Sequence, residues 1–559
     1  MKDNVFIEKL EFLYPKRGEE INKKLQHILT AFSKEFKAPK KSIPLYSEKD
    51  AVLICYADHV YEENKKTFQT MHTFLNKYVK GSIPKVHFLP FYPYSSDDGF
   101  SVINYYKVKD EFGSWDDVRA IATDFDLMYD FVCNHISQKS VWFKKFLEGD
   151  SKFVNFFIAF DEEVDVSKVF RPRAHPLLTA FETKIGKKYV WTTFSADQID
   201  VNFENPEVLL EMIKVFLFYI KNGAKLIRMD AVHMMWKQLG TYSVDLPQTH
   251  EIIKIFREVV NQVSPNVWLI TEQNRPHLEN ISYFGNGNDE AQLVYNFALP
   301  PLLLHTFING DASVLTNWAK TLKNPSDEAT FFNFSASHDG IPVLSLYNFI
   351  SEKEMQSLVA YCASRGGKIL YRKAEDGSEK PYEFNIVFFE AMGKNIDKFM
   401  ASQAAMVALQ GVPGIYFNSF FGSPNWTEGV EKLGYTRAIN REKFLFQTLS
   451  DEINDTSSIR HTVYNRYKKL LSVRANEPLF NPTTDQEILD LDTKLFTIKR
   501  YKGSQSLISI INVSDEEILL PKEKIEIFGH KNKVDILTGT KHSPEQDMHI
   551  MPYQVLWLK

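Results

Sequence analysis

Cysteine is scarce: Cys55, Cys133 and Cys362 are the only three in 559 residues. An odd, scattered set is neither a disulfide framework nor a zinc site, and it fits a reducing compartment. Long apolar runs are missing too. The most apolar helical stretch, residues 208–220, is broken by Glu211 and Lys214, too short and too charged to span a bilayer. The first residues carry no apolar h-region, so no secretory signal is expected. Neither sign of charge dominates: 66 Lys and Arg against 71 Asp and Glu leave a net charge of −5, with no bulk basic surface for nucleic acid. No Gly-x-x-x-x-Gly-Lys-Ser/Thr loop, no Gly-x-Gly-x-x-Gly after a strand and no Gly-x-Ser-x-Gly elbow is found, which argues against a bound nucleotide, a dinucleotide cofactor or an acyl hydrolase. No His-x-x-x-His or paired-cysteine spacing points to a metal. The expectation is a soluble, cytoplasmic protein with no cofactor, no metal, no nucleic-acid partner and no membrane contact.

What the sequence has is aromatic residues, 14% of the chain, with 44 Phe, 25 Tyr and 8 Trp. Aromatics fill cores, and they also stack on the apolar faces of sugar rings. Short apolar runs alternate with helical stretches. Runs at residues 52–56, 85–89, 126–132, 225–230 and 267–272 read as strands, with 292–296, 330–334 and 414–417 as further candidates. Continuous apolar runs mark strands buried on both faces, as in parallel sheets. Eight such units predict an α/β fold, a (β/α)8 TIM barrel with its site at the strand C-terminal ends.

The barrel is assigned to residues 51–135, 201–339 and 396–479. The remaining segments are a helical extension at 1–50, an inserted domain at 136–200, a loop-rich insert at 340–395 and a small C-terminal β domain at 480–559. The Gly/Lys/Glu-rich stretch 366–379 reads as surface loop. No internal repeat is visible.

The strand ends carry Asp58, Asp97, Asp130 with Asn134 and His135, Arg228 with Asp230, Glu272, and His338 with Asp339. Asp230 and Glu272 close neighbouring strands, where two carboxyls could flank a glycosidic bond. A separation of about 5–5.5 Å suits a retaining double displacement. Arg228 shares a strand face with Asp230, and a guanidinium beside a carboxylate keeps it ionised. An Arg–Asp pair at a strand end serves packing as readily as chemistry. Asp339 could stabilise an oxocarbenium-like transition state, although a His-Asp pair in a loop is more often structural. Asn134-His135 could orient the barrel wall and donate to a sugar hydroxyl.

Together these residues resemble family 13 glycoside hydrolases, the α-amylase superfamily. The four motifs are residues 130–135, Arg228-Met229-Asp230-Ala231-Val232, Thr271-Glu272 and Ser337-His338-Asp339. The sucrose phosphorylase-like subfamily is similar at Leu89-Pro90-Phe91-Tyr92-Pro93, Ser96-Asp97-Asp98-Gly99-Phe100, residues 112–117, Arg171-Pro172-Arg173, Leu299-Pro300-Pro301-Leu302 and residues 437–441. Residues 271–277, 279–285 and 289–291 resemble its glucosylglycerate phosphorylase branch.

The resemblance implies Asp230 as nucleophile, Glu272 as general acid/base and Asp339 as transition-state stabiliser. It implies that Asp97, His135, Arg228, His338 and Arg437 hold the glucosyl unit, with Arg173 near the acceptor or phosphate. The implied reaction is reversible phosphorolysis of a small α-glucoside, foremost glucosylglycerate, to α-glucose 1-phosphate and free acceptor, with no organic cofactor and no catalytic metal. Sucrose, sucrose 6'-phosphate or glucosylglycerol phosphorylase, or an α-glucosidase or transglucosidase, are the alternatives. Phosphate brings negative charge into a carboxylate-rich pocket, so a cation must offset it. Arg173, Arg275 and Lys237 are the candidates. The chain departs from the branch pattern at His233, Tyr242, Gln273, Arg275 and Pro342, all expected on the acceptor side. Arg275 and His233 lean toward an anionic acceptor.

Overall fold

Eight parallel strands close into one barrel in chain order: Val52–Cys55 (β1), Lys85–Phe88 (β2), Asp126–Val132 (β3), Ala224–Asp230 (β4), Trp268–Thr271 (β5), Leu293–Tyr295 (β6), Thr330–Phe334 (β7) and Val412–Tyr416 (β8). Strand β8 pairs with β1 and completes the ring. The structure, a computed structural model, describes residues 4–173, 175–373, 378–525, 528–529 and 532–559. Each barrel strand is buried along nearly its whole length, because helices cover the outside and neighbouring strands the edges. The last strand starts two residues earlier than its apolar run predicts, and Phe417 opens the short helix that follows.

The helices are set by local signals. Helix Pro206–Lys221 begins with Asn205, whose side chain accepts a hydrogen bond from the Glu207 amide, followed by Pro206 at the first helical position. Near the N-terminus, helices Asn4–Leu13 and Gly18–Glu35 lie outside the barrel, the first against helix Pro247–Val263 and the second against Pro206–Lys221. Ile21, Leu25 and Leu29 recur every four residues and form the buried stripe of the second.

Between β3 and β4 the chain leaves the barrel. Strand His135–Ser137 pairs antiparallel with Gln198–Asp200. Beyond that neck, Gly186–Trp191 lies between Ala159–Phe160 and Leu178–Thr183. The neck fixes His135 beside the barrel mouth.

The reading of residues 366–379 as surface loop is corrected. Lys368–Lys373 and Glu379–Asn385 are antiparallel strands, and the second also pairs with Ile341–Pro342. Residues 374–377, between the two strands, lie outside the described residues. The first strand escaped notice because none of residues 368–372 is fully buried, so no apolar alternation marks it.

At the C-terminus Asp485–Leu489, Leu495–Lys502, Gln505–Asn512 and Val555–Leu558 form an antiparallel sheet. Its two faces have different partners. Phe496, Ile498, Leu507 and Ile511 join the main core, whereas Ile508, Ile510 and Leu556 pack on Leu520, Met548 and Ile550. Arg500, buried on strand Leu495–Lys502, ties the sheet to helix Ile396–Ala408 of the barrel by donating to the Ala408 carbonyl at 3.1 Å. Among the described residues no helix is long and apolar enough to cross a membrane.

Candidate active site

The C-terminal ends of the barrel strands open into one cavity. Asp97, His135, Asp230, Glu272, His338, Asp339, Arg173 and Arg437 all line it. These eight residues therefore converge, although they come from segments spread over more than 300 positions, whereas Arg228, expected to hold the glucosyl unit, is buried outside the lining.

Strand β4 supplies the centre. Arg228 and Asp230 project from the same face, and Arg228 Nη1 donates to Asp230 Oδ1 at 2.8 Å. The same guanidinium contacts Asp130 on β3, which Arg228 faces in register, and its Nη2 lies 3.7 Å from Glu272 Oε2. One arginine thus spans three carboxyls. Asp130 lies beneath the cavity rather than in its lining, where His87 Nε2 meets its second oxygen at 2.6 Å. Burial would raise the Asp130 carboxyl, but the charge of Arg228 and the hydrogen bond with His87 hold it below its ordinary value.

After Asp230 the chain turns sharply. Ala231 takes the left-handed conformation at φ 47°, which costs a non-glycine residue about 1 kcal/mol. The turn aims its amide at Glu272 Oε2, 3.0 Å away. Burial pushes both Asp230 and Glu272 upward, and each lies in reach of other carboxylates that add to the rise. The 2.8 Å bond from Arg228 favours the negative charge on Asp230, and the Ala231 amide favours it on Glu272.

Asp339 behaves oppositely. Burial would raise it, yet Arg437, Arg441 and Arg228 hold it well below the usual carboxylate range. Arg437 Nη1 stands 2.6 Å from Asp339 Oδ1. That approach lies off the hydrogen-bonding direction, so the contact is an ion pair. Burial drops the His338 imidazole to about 3, so it is neutral at pH 7. Its ring stacks on Phe100 with centroids 4.8 Å apart and planes 7° from parallel. His135 Nε2 lies 2.9 Å from the Phe100 carbonyl.

Asp97 sits in a turn with Asp98 and Gly99, all at positive φ. A Cβ on Gly99 would meet the Pro90 carbonyl at 2.4 Å, so only glycine fits there.

The basic candidates separate. Arg173 lines the cavity and has no carboxylate partner among the described residues. Lys237 and Arg275 are not in the lining. Lys237 is spent on Asp200 at 2.6 Å, and Arg275 on Asp245 at 2.8 Å with its guanidinium over Phe170. Asp58 likewise pairs with Lys443 at 2.6 Å, away from the cavity. Of the positions that depart from the branch pattern, His233 and Pro342 line the cavity. Gln273 turns inward and donates to the Asn280 carbonyl at 3.1 Å, while Tyr242 is exposed.

Sequence reasoning missed Phe100 as a stacking surface, Gln198, and the pair Tyr382 and Glu383, which line the cavity from the insert after Asp339. The alternation at residues 382–385 was the available signal, masked by the polar stretch before it. Among the described residues no cluster of three or more His, Cys, Asp or Glu could hold a metal ion.

Comparison with known proteins gives the family. The family model described as α-amylase, catalytic domain, matches residues 77–482. The chain is 45% identical to a glucosylglycerate phosphorylase of Allomeiothermus silvanus, over 99% of this chain and 98% of that one. It is 40% identical to a glucosylglycerate phosphorylase of Escherichia coli, over 92% of each. The crystal structure of a sucrose 6F-phosphate phosphorylase from Thermoanaerobacter thermosaccharolyticum superposes with a TM-score of 0.74 at 25% identity, covering 83% of this chain and 94% of that one.

Proposed function

The chain belongs to the α-amylase family, and from that premise we propose that it is a retaining glycoside phosphorylase acting on glucosylglycerate. The reading rests first on one observation: Asp230, Glu272 and Asp339 surround a single cavity, with one guanidinium, that of Arg228, within reach of the first two. Relatives at 40–45% identity that are glucosylglycerate phosphorylases support the choice of acceptor.

The Asp230 carboxylate attacks the anomeric carbon. The bond to the glycerate oxygen breaks, and that oxygen takes the proton from Glu272. Asp339, held ionised by Arg437, stabilises the positive charge that develops on the sugar ring. Phosphate then displaces Asp230 from the glucosyl carbon while Glu272 takes back a proton. Two inversions give α-glucose 1-phosphate.

Arg173 is the cation suited to the incoming phosphate, because no carboxylate among the described residues competes for it. His233, with its buried Nδ1 unpartnered, adds a polar group toward the acceptor without adding charge, since burial lowers the imidazole to about 4. The three free, buried cysteines fit a cytoplasmic setting.

An acceptor screen in the synthesis direction tests the reading. With glucose 1-phosphate as donor, glycerate is expected to release phosphate faster than glycerol, fructose or fructose 6-phosphate. Phosphate release with none of them, or glucose formation indifferent to phosphate, overturns it.

A further inference from the structure

Glu383 lies outside every motif named above, yet its carboxylate is buried against the cavity. It takes both aligned hydrogen bonds of Arg437, from Nε at 2.9 Å and from Nη2 at 2.6 Å. This is the two-pronged geometry that fixes a guanidinium in orientation as well as in place. With one edge of the guanidinium held, the remaining Nη1 stands 2.6 Å from Asp339.

The backbone makes this a closed frame. Glu383 pairs in register with Pro342, so the small sheet that carries Glu383 begins two residues after Asp339. Gly340 packs so tightly on the Glu383 stem that a Cβ there would lie 2.7 Å from its Cγ. From the other side, Asn440 donates to the Asp339 carbonyl at 3.0 Å and pins the turn Thr436–Asn440 that bears Arg437.

From this frame we infer that Glu383 is a positioning residue: it aims the Arg437 guanidinium at Asp339 and thereby sets the geometry of glucosyl transfer. The inference rests on the role proposed for Asp339 but not on phosphate or glycerate being the acceptor. Glu383 also masks itself. Both its oxygens are turned to Arg437, so an anionic acceptor entering the cavity meets a neutralised carboxylate.

The test uses α-glucosyl fluoride, whose fluoride release reports glucosyl transfer whatever the acceptor, so failure of the phosphorylase reading leaves it intact. Glu383→Gln is expected to lower kcat by about 10- to 100-fold, the scale of a small misplacement at a reacting centre, with KM changed less than about 3-fold. In an Arg437→Lys background the same substitution is expected to cost less than about 2-fold, because residues acting as a unit are not additive. Glu383→Asp, which keeps the charge, is expected to recover part of the loss. Equal losses in both backgrounds, a loss carried by KM, no difference between the Gln and Asp variants, or a loss that tracks a fall in melting temperature would each overturn the inference.

Discussion

Lys237 Nζ stands 2.6 Å from the Asp200 carboxylate, and both side chains are buried. Asp200 also accepts from Thr193 and Asn134, so the pair braces the neck that carries His135. Removing one member of a buried pair leaves the other uncompensated. Lys237→Met is therefore expected to cost about 3–5 kcal/mol in urea unfolding. At a temperature where the variant stays folded, its KM for phosphate should remain within about 2-fold of the parent. A large rise in that KM would return Lys237 to the phosphate site.

Arg173→Ala is expected to do the reverse. Hydrogen bonds to charged groups contribute about 1.5–3 kcal/mol, so KM for phosphate should rise by about 10- to 100-fold. Fluoride release from α-glucosyl fluoride into water, which needs no phosphate, should stay within about 3-fold of the parent. Initial rates at varied phosphate, beside fluoride release without it, separate these outcomes.

Glu272→Gln removes the proton donor and leaves the acceptor for the Ala231 amide in place. Phosphorolysis of glucosylglycerate should fall by about 10²–10⁴-fold. Fluoride departs without protonation, so the first half-reaction on α-glucosyl fluoride should suffer far less. In the parent enzyme kcat should decline as pH rises through the elevated pKa of Glu272, where the acid loses its proton. Equal losses on the two donors would remove Glu272 from the acid role.

The same elevation has a consequence for stability. A carboxyl whose folded pKa lies above its unfolded value of about 4.3 favours the folded state below that value, and the advantage is lost as pH rises through the folded pKa. Glu272→Gln should therefore melt higher than the parent at pH 7, with the difference closing below about pH 4. Thermal melts at both pH values check the sign. A variant less stable at pH 7 would show that contacts of the carboxylate outweigh the cost of burying it.

Legibility in the sequence followed the range of the forces involved. Strand β7 matches its predicted run residue for residue, because burial on both faces leaves a local signature in Phe331, Phe332 and Phe334. Strand Lys368–Lys373 left none, since solvent on one side relaxes the demand for apolar residues. The cavity's carboxyls were legible because each ends a strand or sits in a short motif. Glu383 was not, because its role comes from facing Arg437, 54 positions away.

The sequence by itself determined the barrel, the end of it that would be chemical, and the carboxyls gathered there, since apolar runs that stop at charged residues encode all three locally. Only the tertiary structure decided which cations remain free. Lys237, Arg275 and Arg173 look alike as basic residues near the same motifs. Asp200 and Asp245 take the first two at 2.6 and 2.8 Å, and Arg173 is left facing the cavity. Ion pairing is settled by distance in space, which residue order along the chain does not fix.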